Sequence, residues 1–221
     1  MKRRTRIKIC GLTRPQDVAA AVAAGADALG FVFYNDSPRY IVPEAAAGLI
    51  AQVPAFVSTV GLFVNAKMQD VAAVLAQVPL SLLQFHGDES PAECAAIAAA
   101  VRRPFIRAVR VKPDMTAADL LKYESEYQAA STLCAGLLFD TYVDSYGGSG
   151  KVFDWSLIPE NIASRIVLSG GLNAQNVTDA IRQIRPHAVD VSSGVEAGKG
   201  IKDLHKIRAF IDAVHVADNS N

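Results

Sequence analysis

An eight-stranded parallel (βα)8 TIM barrel with some shortened helices is the α/β fold this sequence predicts, on three observations. Short apolar runs of strand length alternate with amphipathic stretches at helical period, the sequence form of repeated βαβ units. Two near-copies of one segment, Leu168-Ser169-Gly170-Gly171-Leu172 and Val191-Ser192-Ser193-Gly194-Val195, come directly after the last two runs, and this architecture places its phosphate site after its last two strands. The chain has 221 residues, 51% of them hydrophobic, which suits one domain over residues 1–221 with a large core. A doubly wound open sheet shares this periodicity, because counting strands does not close a barrel.

Taken in order, the strand runs are residues 7–9, 28–33, 57–63, 80–83, 105–109, 136–139, 166–168 and 188–191. They recur every ~26 residues, short for such a barrel but within its range. Helical stretches fall at 15–24, 66–76, 91–101, 177–184 and 201–214. Thr13 ahead of Pro15, Asn65 ahead of Lys67 and Ser90 ahead of Pro91 read as start signals. Two helices are expected to be stunted: residues 116–127 are polar and poorly periodic, and the stretch after Asp154-Trp155 holds about one turn before Pro159.

Composition excludes several classes. Net charge is +0, the sequence pI is near 6.9, and no basic stripe runs along any segment, so nucleic acid is not an expected partner. Met1-Lys2-Arg3-Arg4 resembles a signal-peptide n-region, but Arg6 and Lys8 interrupt the apolar stretch such a peptide needs next, and no apolar run reaches membrane-span length. Cys10, Cys94 and Cys134 are an odd count at wide spacings, indicating neither a disulfide framework nor a zinc site and fitting a reducing cytoplasm. A monomer is the default expectation.

In a barrel of this kind, chemistry sits at the C-terminal strand ends. In order these carry Cys10, Tyr34 with the loop to Arg39, Asn65, Gln84 with His86, Arg110, Asp140, Ser169-Gly170-Gly171 and Ser192-Ser193-Gly194. A lone cysteine is usually a small buried hydrophobe. Cys10, however, shares a strand face with Lys8, whose ammonium favours thiolate unless Asp190, on the strand adjacent after closure, pairs with it. Asp140 comes after Leu137-Leu138-Phe139 and is either a loop cap or a general acid, since burial favours the protonated form. Arg39 is by default a solvated loop residue, but an arginine there can hold a planar carboxylate through two parallel hydrogen bonds. His86 has no second ligand at metal spacing and reads as a pocket wall or structural hydrogen-bonder. The segment Tyr146-Gly147-Gly148-Ser149-Gly150-Lys151 is only superficially a P-loop, with Ser145 and Val152 at two required positions. It reads as a mobile lid with a phosphate-seeking lysine. The two Gly/Ser segments uncover backbone N–H groups for a phosphate.

Together the motifs closely resemble phosphoribosylanthranilate isomerase of tryptophan biosynthesis. They are Lys8-Ile9-Cys10-Gly11-Leu12-Thr13, Leu29-Gly30-Phe31-Val32-Phe33, Ser37-Pro38-Arg39, Val60-Gly61-Leu62-Phe63-Val64-Asn65, Gln84-Phe85-His86-Gly87, Asp140 with Gly147-Gly148-Ser149-Gly150-Lys151 and Phe153-Asp154-Trp155, Leu168-Ser169-Gly170-Gly171-Leu172, and Val189-Asp190-Val191-Ser192-Ser193-Gly194-Val195-Glu196. The resemblance runs from about Arg6 to Phe210, and eight motifs in order are specific where one is not. It implies an Amadori rearrangement of a phosphoribosyl substrate, with no cofactor and no metal. It implies Cys10 as general base, Asp140 as general acid and Arg39 on the anthranilate carboxylate. His86, Asp190 and Lys8 are taken as further substrate-binding residues. Gly148, Ser149, Gly170, Gly171, Ser192, Ser193 and Gly194 are taken as phosphate-binding.

One departure is Gly198-Lys199-Gly200, where the family often has a proline before the glycine, predicting a looser loop or an added charge near the phosphate. Three competing functions share parts of the pattern. The histidine-pathway isomerase usually has aspartate at the position of Cys10. Other phosphosugar barrels need metal ligands or a strand-end lysine. A non-catalytic phosphosugar-binding barrel has no need to keep both Cys10 and Asp140.

Overall fold

The strand runs are apolar on both faces because each strand is covered by helices outside and by its neighbours' side chains inside. The computed structural model describes residues 4–141 and 152–220. Its strands are β1 (Arg6–Cys10), β2 (Ala28–Val32), β3 (Ser58–Phe63), β4 (Leu82–Phe85), β5 (Phe105–Val111), β6 (Cys134–Thr141), β7 (Val167–Leu168) and β8 (Ala188–Val191). They pair in parallel in sequence order, and β8 returns to β1 with Lys8 opposite Asp190, which closes the barrel and excludes the open sheet.

Alternation along each strand divides the interior in two. Outward positions, among them Ile7, Ile9, Phe31, Phe63, Phe85, Phe105 and Phe139, join the main core under the helices. Each fully buried phenylalanine stabilises by roughly 1.5–3 kcal/mol. Inward positions form two smaller apolar clusters, Ile106, Ala108 and Leu138 in one and Cys10, Val32 and Leu62 in the other. The second lies toward the C-terminal strand ends. Buried Lys8, Gln84 and Asp190 share these inward faces.

Helices alternate with the strands: α1 (Pro15–Ala24), α2 (Pro43–Ile50), α3 (Met68–Leu75), α4 (Pro91–Val101), α5 (Ala117–Ala130), α6 (Glu160–Ala163), α7 (Val177–Ile184) and α8 (Leu204–Asn219). Proline at the first turn opens α1, α2 and α4, and Gly25 at φ 99° closes α1. Ser90 and Glu93 form the expected capping box.

Several expectations are corrected. Thr13 is not a cap, since Arg14 holds that place and the Thr13 hydroxyl donates to the Gly200 carbonyl. Asn65 is not one either: Lys67 precedes α3, while Asn65 sits at φ 50° and accepts from the Asp88 N–H. Helix α5 is not stunted; it runs fourteen residues because Thr116 and Asp119 form a second capping box, although only Leu120 and Tyr127 are buried. The stretch after Asp154 is short as expected, a 3-10 turn at Trp155–Leu157 and then the four-residue α6. Ile201 does not begin α8. Ile201–Lys202 is a strand, β10, folded back on β9 (Glu196–Gly198), and α8 starts at the Asp203 cap. This hairpin is pinned by Thr13, and a Cβ at Gly200 would come within 2.6 Å of the Pro38 carbonyl oxygen, so the loop carrying Lys199 is not loose.

Candidate active site

Two cavities open at opposite ends of the barrel, and they differ in size and lining. The larger, about 590 Å³, lies at the N-terminal strand ends between residues such as Ala28, Leu82 and Ile106. The smaller, about 100 Å³, lies at the C-terminal ends and is lined by Cys10, Arg39, His86, Asp140 and Asp190, with Gly170, Gly171, Ser192 and Ser193 from the last two strand loops. Lys8 and Gly194 are not among its lining residues. Gly148 and Ser149, with the rest of 142–151 and the expected lid, lie outside the described residues.

Cys10 ends β1 and is buried against Val32 and Leu62. Its strand partner is Gly30, where a Cβ would come within 2.7 Å of the Cys10 Sγ and 3.2 Å of the Lys8 Cε. Glycine there leaves room for the thiol. Burial pushes the thiol up from its ordinary value; Lys8 pulls it back, and Asp190 pushes it up again. The second of the two expectations holds: Asp190 pairs with Lys8, and desolvation outweighs the one cation so shared, which favours thiol over thiolate.

That sharing is direct. Lys8 Nζ lies 2.8 Å from Asp190 Oδ1, both side chains nearly inaccessible. Burial opposes the ammonium, but Asp190 and then Cys10 more than offset it and hold it above its usual range. Ser169 donates to the other Asp190 oxygen at 3.2 Å.

Arg39 is buried rather than solvated. It makes the expected two parallel bonds, but to Glu196: Nε to Oε1 at 2.7 Å and Nη2 to Oε2 at 2.9 Å. Lys202 Nζ also reaches Glu196 Oε1 at 2.9 Å and the Ser192 carbonyl at 3.0 Å, while the Ser192 hydroxyl donates to the Cys10 carbonyl at 3.0 Å. Burial pushes the Glu196 carboxyl up, but Arg39 and Lys202 together bring it below the usual range. For Lys202 burial prevails and lowers the ammonium despite Glu196. Sequence reasoning does not identify Glu196, Lys202 or Gly30 as parts of a site. Their roles depend on contacts across the closed barrel: Gly30 and Glu196 lie within motifs of the resemblance without a role of their own, and Lys202 lies outside them.

Asp140, near the end of β6, faces His86, whose Nε2 lies 3.1 Å from Asp140 Oδ2. The backbone on both sides of His86 is clamped by buried Arg107, whose Nη1 and Nη2 donate to the carbonyls of Phe85 and Gly87 at 3.2 and 2.9 Å. Glu89 accepts from the N–H groups of Gly87 and Asn65. Gly170 and Gly171 have φ of 87° and 67°, which glycine adopts most readily. A Cβ at Gly170 would come within 2.4 Å of the Thr141 N and 2.9 Å of the Asp140 Oδ1. At Gly194 a Cβ would come within 1.9 Å of the Leu172 carbonyl oxygen, so its place is the contact between the two Gly/Ser loops. Among the described residues no three His, Cys, Asp or Glu side chains converge as a metal site.

Comparison with known proteins agrees along the whole barrel. The family model for N-(5'-phosphoribosyl)anthranilate isomerase matches residues 7–213. The N-(5'-phosphoribosyl)anthranilate isomerase of Herminiimonas arsenicoxydans is 75% identical over 99% of this chain and 96% of its own length. That of Dechloromonas aromatica is 55% identical over 98% and 99%. The crystal structure of phosphoribosyl anthranilate isomerase from Thermotoga maritima superposes with a TM-score of 0.84 at 44% identity, covering 96% of this chain and 99% of that one. A structure of such an isomerase in complex with reduced 1-(o-carboxyphenylamino)-1-deoxyribulose 5-phosphate matches with a TM-score of 0.81 at 41% identity, again over 96% and 99%. With a closed barrel, a cysteine and an aspartate lining one mouth, and relatives matched nearly end to end, this chain belongs to the phosphoribosylanthranilate isomerase family.

Proposed function

We infer that the chain converts N-(5-phosphoribosyl)anthranilate to 1-(2-carboxyphenylamino)-1-deoxyribulose 5-phosphate, the Amadori step of tryptophan biosynthesis. The carrying observation is that Cys10 on β1 and Asp140 on β6 line one cavity with both Gly/Ser loops.

The chemistry needs one group that starts protonated and one that becomes a base. Asp140 gives its proton to the furanose ring oxygen as the C1–O bond breaks, leaving an iminium at C1. The iminium acidifies the C2 hydrogen, which Cys10 thiolate removes, and the resulting enolamine relaxes to the ketone. The raised Cys10 thiol must first lose its proton to solvent, and the positive charge of the iminium in the cavity favours that loss before the C2 hydrogen is taken. Arg39 holds the anthranilate carboxylate through N–H groups other than the two given to Glu196. Gly170, Gly171, Ser192 and Ser193 offer backbone N–H groups, and Ser193 a hydroxyl, to the phosphate, and Gly194 fixes the distance between their loops. Lys8 and Asp190 set the charge beneath the base, and His86 faces the acid.

Residues 1–221 act in this reading as one domain and as a monomer in the cytoplasm. No helix among the described residues is long and apolar enough to cross a membrane. The test generates phosphoribosylanthranilate in place from anthranilate and phosphoribosyl pyrophosphate and follows its fluorescence without added metal. Decay well above the spontaneous rate supports the isomerase; no acceleration by folded protein sinks it in favour of a binding barrel or the histidine-pathway substrate.

A further inference from the structure

Gln84 is fully buried on β4, two residues before His86. Its Nε2 lies 2.9 Å from His86 Nδ1, while its Oε1 has no hydrogen-bond partner among the described residues. An amide NH2 can only donate, so Nδ1 accepts and the neutral ring carries its proton on Nε2, facing Asp140 Oδ2. A buried amide oxygen left without a donor is costly, and reversing the amide would leave the NH2 unpaired in its place, so the amide has one partner, His86, in either orientation. The opposite orientation would place Oε1 against an Nδ1–H and turn Nε2 into an acceptor.

We propose that Gln84 is a positioning residue that makes His86 a donor-only partner of Asp140 and thereby keeps the acid's proton on Asp140 Oδ1. With hydrogen on His86 Nε2, both states of Asp140 are satisfied: the carboxylate accepts through Oδ2, and the acid, protonated on Oδ1, still accepts through Oδ2. Oδ1 is the oxygen beside Gly170, on the side of the phosphate loop, and its proton passes from there to the ring oxygen as C1–O breaks. In the other tautomer Nε2 could only accept, so the proton of the acid would sit on Oδ2 against the ring nitrogen, and Oδ1 would have none to give to the ring oxygen. The bordering charges are Arg110 and Asp88, which pair with each other at 2.5 Å, with Arg107 and Glu89 beneath the His86 loop and Cys10, Lys8 and Asp190 across the barrel. The proposal rests on the isomerase reading for its purpose, but its geometry is tested separately.

The first test needs no substrate. In protein labelled with 15N-histidine, with His86 assigned by loss of its signals in His86→Asn, long-range 15N–1H correlations on the neutral ring are expected to show Nε2 protonated and Nδ1 accepting. An Nδ1–H form, or an even mixture, overturns the proposal whatever the activity. The second test compares Gln84→Met, which leaves the tautomer unset, with Gln84→Glu, which accepts from Nδ1–H and reverses it. We expect kcat to fall about tenfold in Gln84→Met and roughly a hundredfold in Gln84→Glu, with KM nearly held. Because a buried carboxyl can also disturb packing, thermal unfolding is measured beside kcat, and a kcat loss that only tracks lost stability while the ring keeps its proton on Nε2 overturns the proposal. If neither variant folds, the wild-type spectrum decides.

Discussion

Lys8 and Asp190 are register partners across the β1–β8 seam, and their side chains form a buried ion pair at 2.8 Å directly beneath Cys10. One contact thus joins the place where the barrel closes to the proposed base. The ammonium it neutralises is the one that would otherwise favour thiolate.

That arrangement sets the pH dependence. Burial raises Cys10 in the free protein, so kcat/KM is expected to rise with pH on a limb above the ordinary thiol range. Lys8→Met removes the cation that pulls the thiol back down, and the limb should move higher still. A limb well below the ordinary thiol value would contradict the burial argument; it is read from initial rates across a pH series.

Removing either proton-transfer group should cost about 10²–10⁴-fold in kcat, the usual worth of a positioned acid or base. Cys10→Ala and Asp140→Asn are the variants, assayed by the fluorescence decay. Near-normal turnover in one of them rejects the role of that residue alone.

Gly30→Ala is expected to lower kcat about tenfold or more while leaving the fold intact, because the new methyl would occupy space within 2.7 Å of the Cys10 Sγ. Thermal unfolding and turnover measured together separate the two effects. A variant with unchanged kcat would show that the thiol position is not critical.

Glu196→Gln should destabilise the protein by about 3 kcal/mol at neutral pH, since Lys202 and Arg39 would be left buried without their shared counter-charge. The sign with pH is fixed by the lowered carboxyl. Its contribution is full above the unfolded-state value and lost as pH falls through the folded one. Acid unfolding of the wild type should therefore show a stability loss below the ordinary glutamate range that Glu196→Gln lacks. Urea titrations at neutral and acidic pH check both.

Most strands are legible because parallel strands buried on both faces read as unbroken apolar runs, and β8 matches its run to the residue. Helix α5 is not legible at its full length, because its fourteen residues bury only Leu120 and Tyr127, too few to give a period. The start of α8 reads too early in the sequence because Gly198-Lys199-Gly200 reads as a loop before a helix, whereas it turns a hairpin that takes in Ile201 and Lys202. At the site, Cys10, Asp140 and the two Gly/Ser loops stand out as strand ends, although their roles come from the family resemblance. The partner of Arg39 does not stand out. A loop arginine looks solvated until the barrel brings a carboxylate to it.

Glu196 lies 157 residues after Arg39, and Asp190 lies 182 residues after Lys8. On the ribosome, both cations emerge long before the carboxylates that allow them to be buried, and Lys202 emerges later still. A nascent chain released before the β9–β10 hairpin would hold uncompensated charge where the finished protein is dry. Catalytic competence should therefore arrive with the last part of translation, and truncation just before Glu196 should leave a chain that chaperones and proteases treat as unfinished, even though every barrel strand has been made.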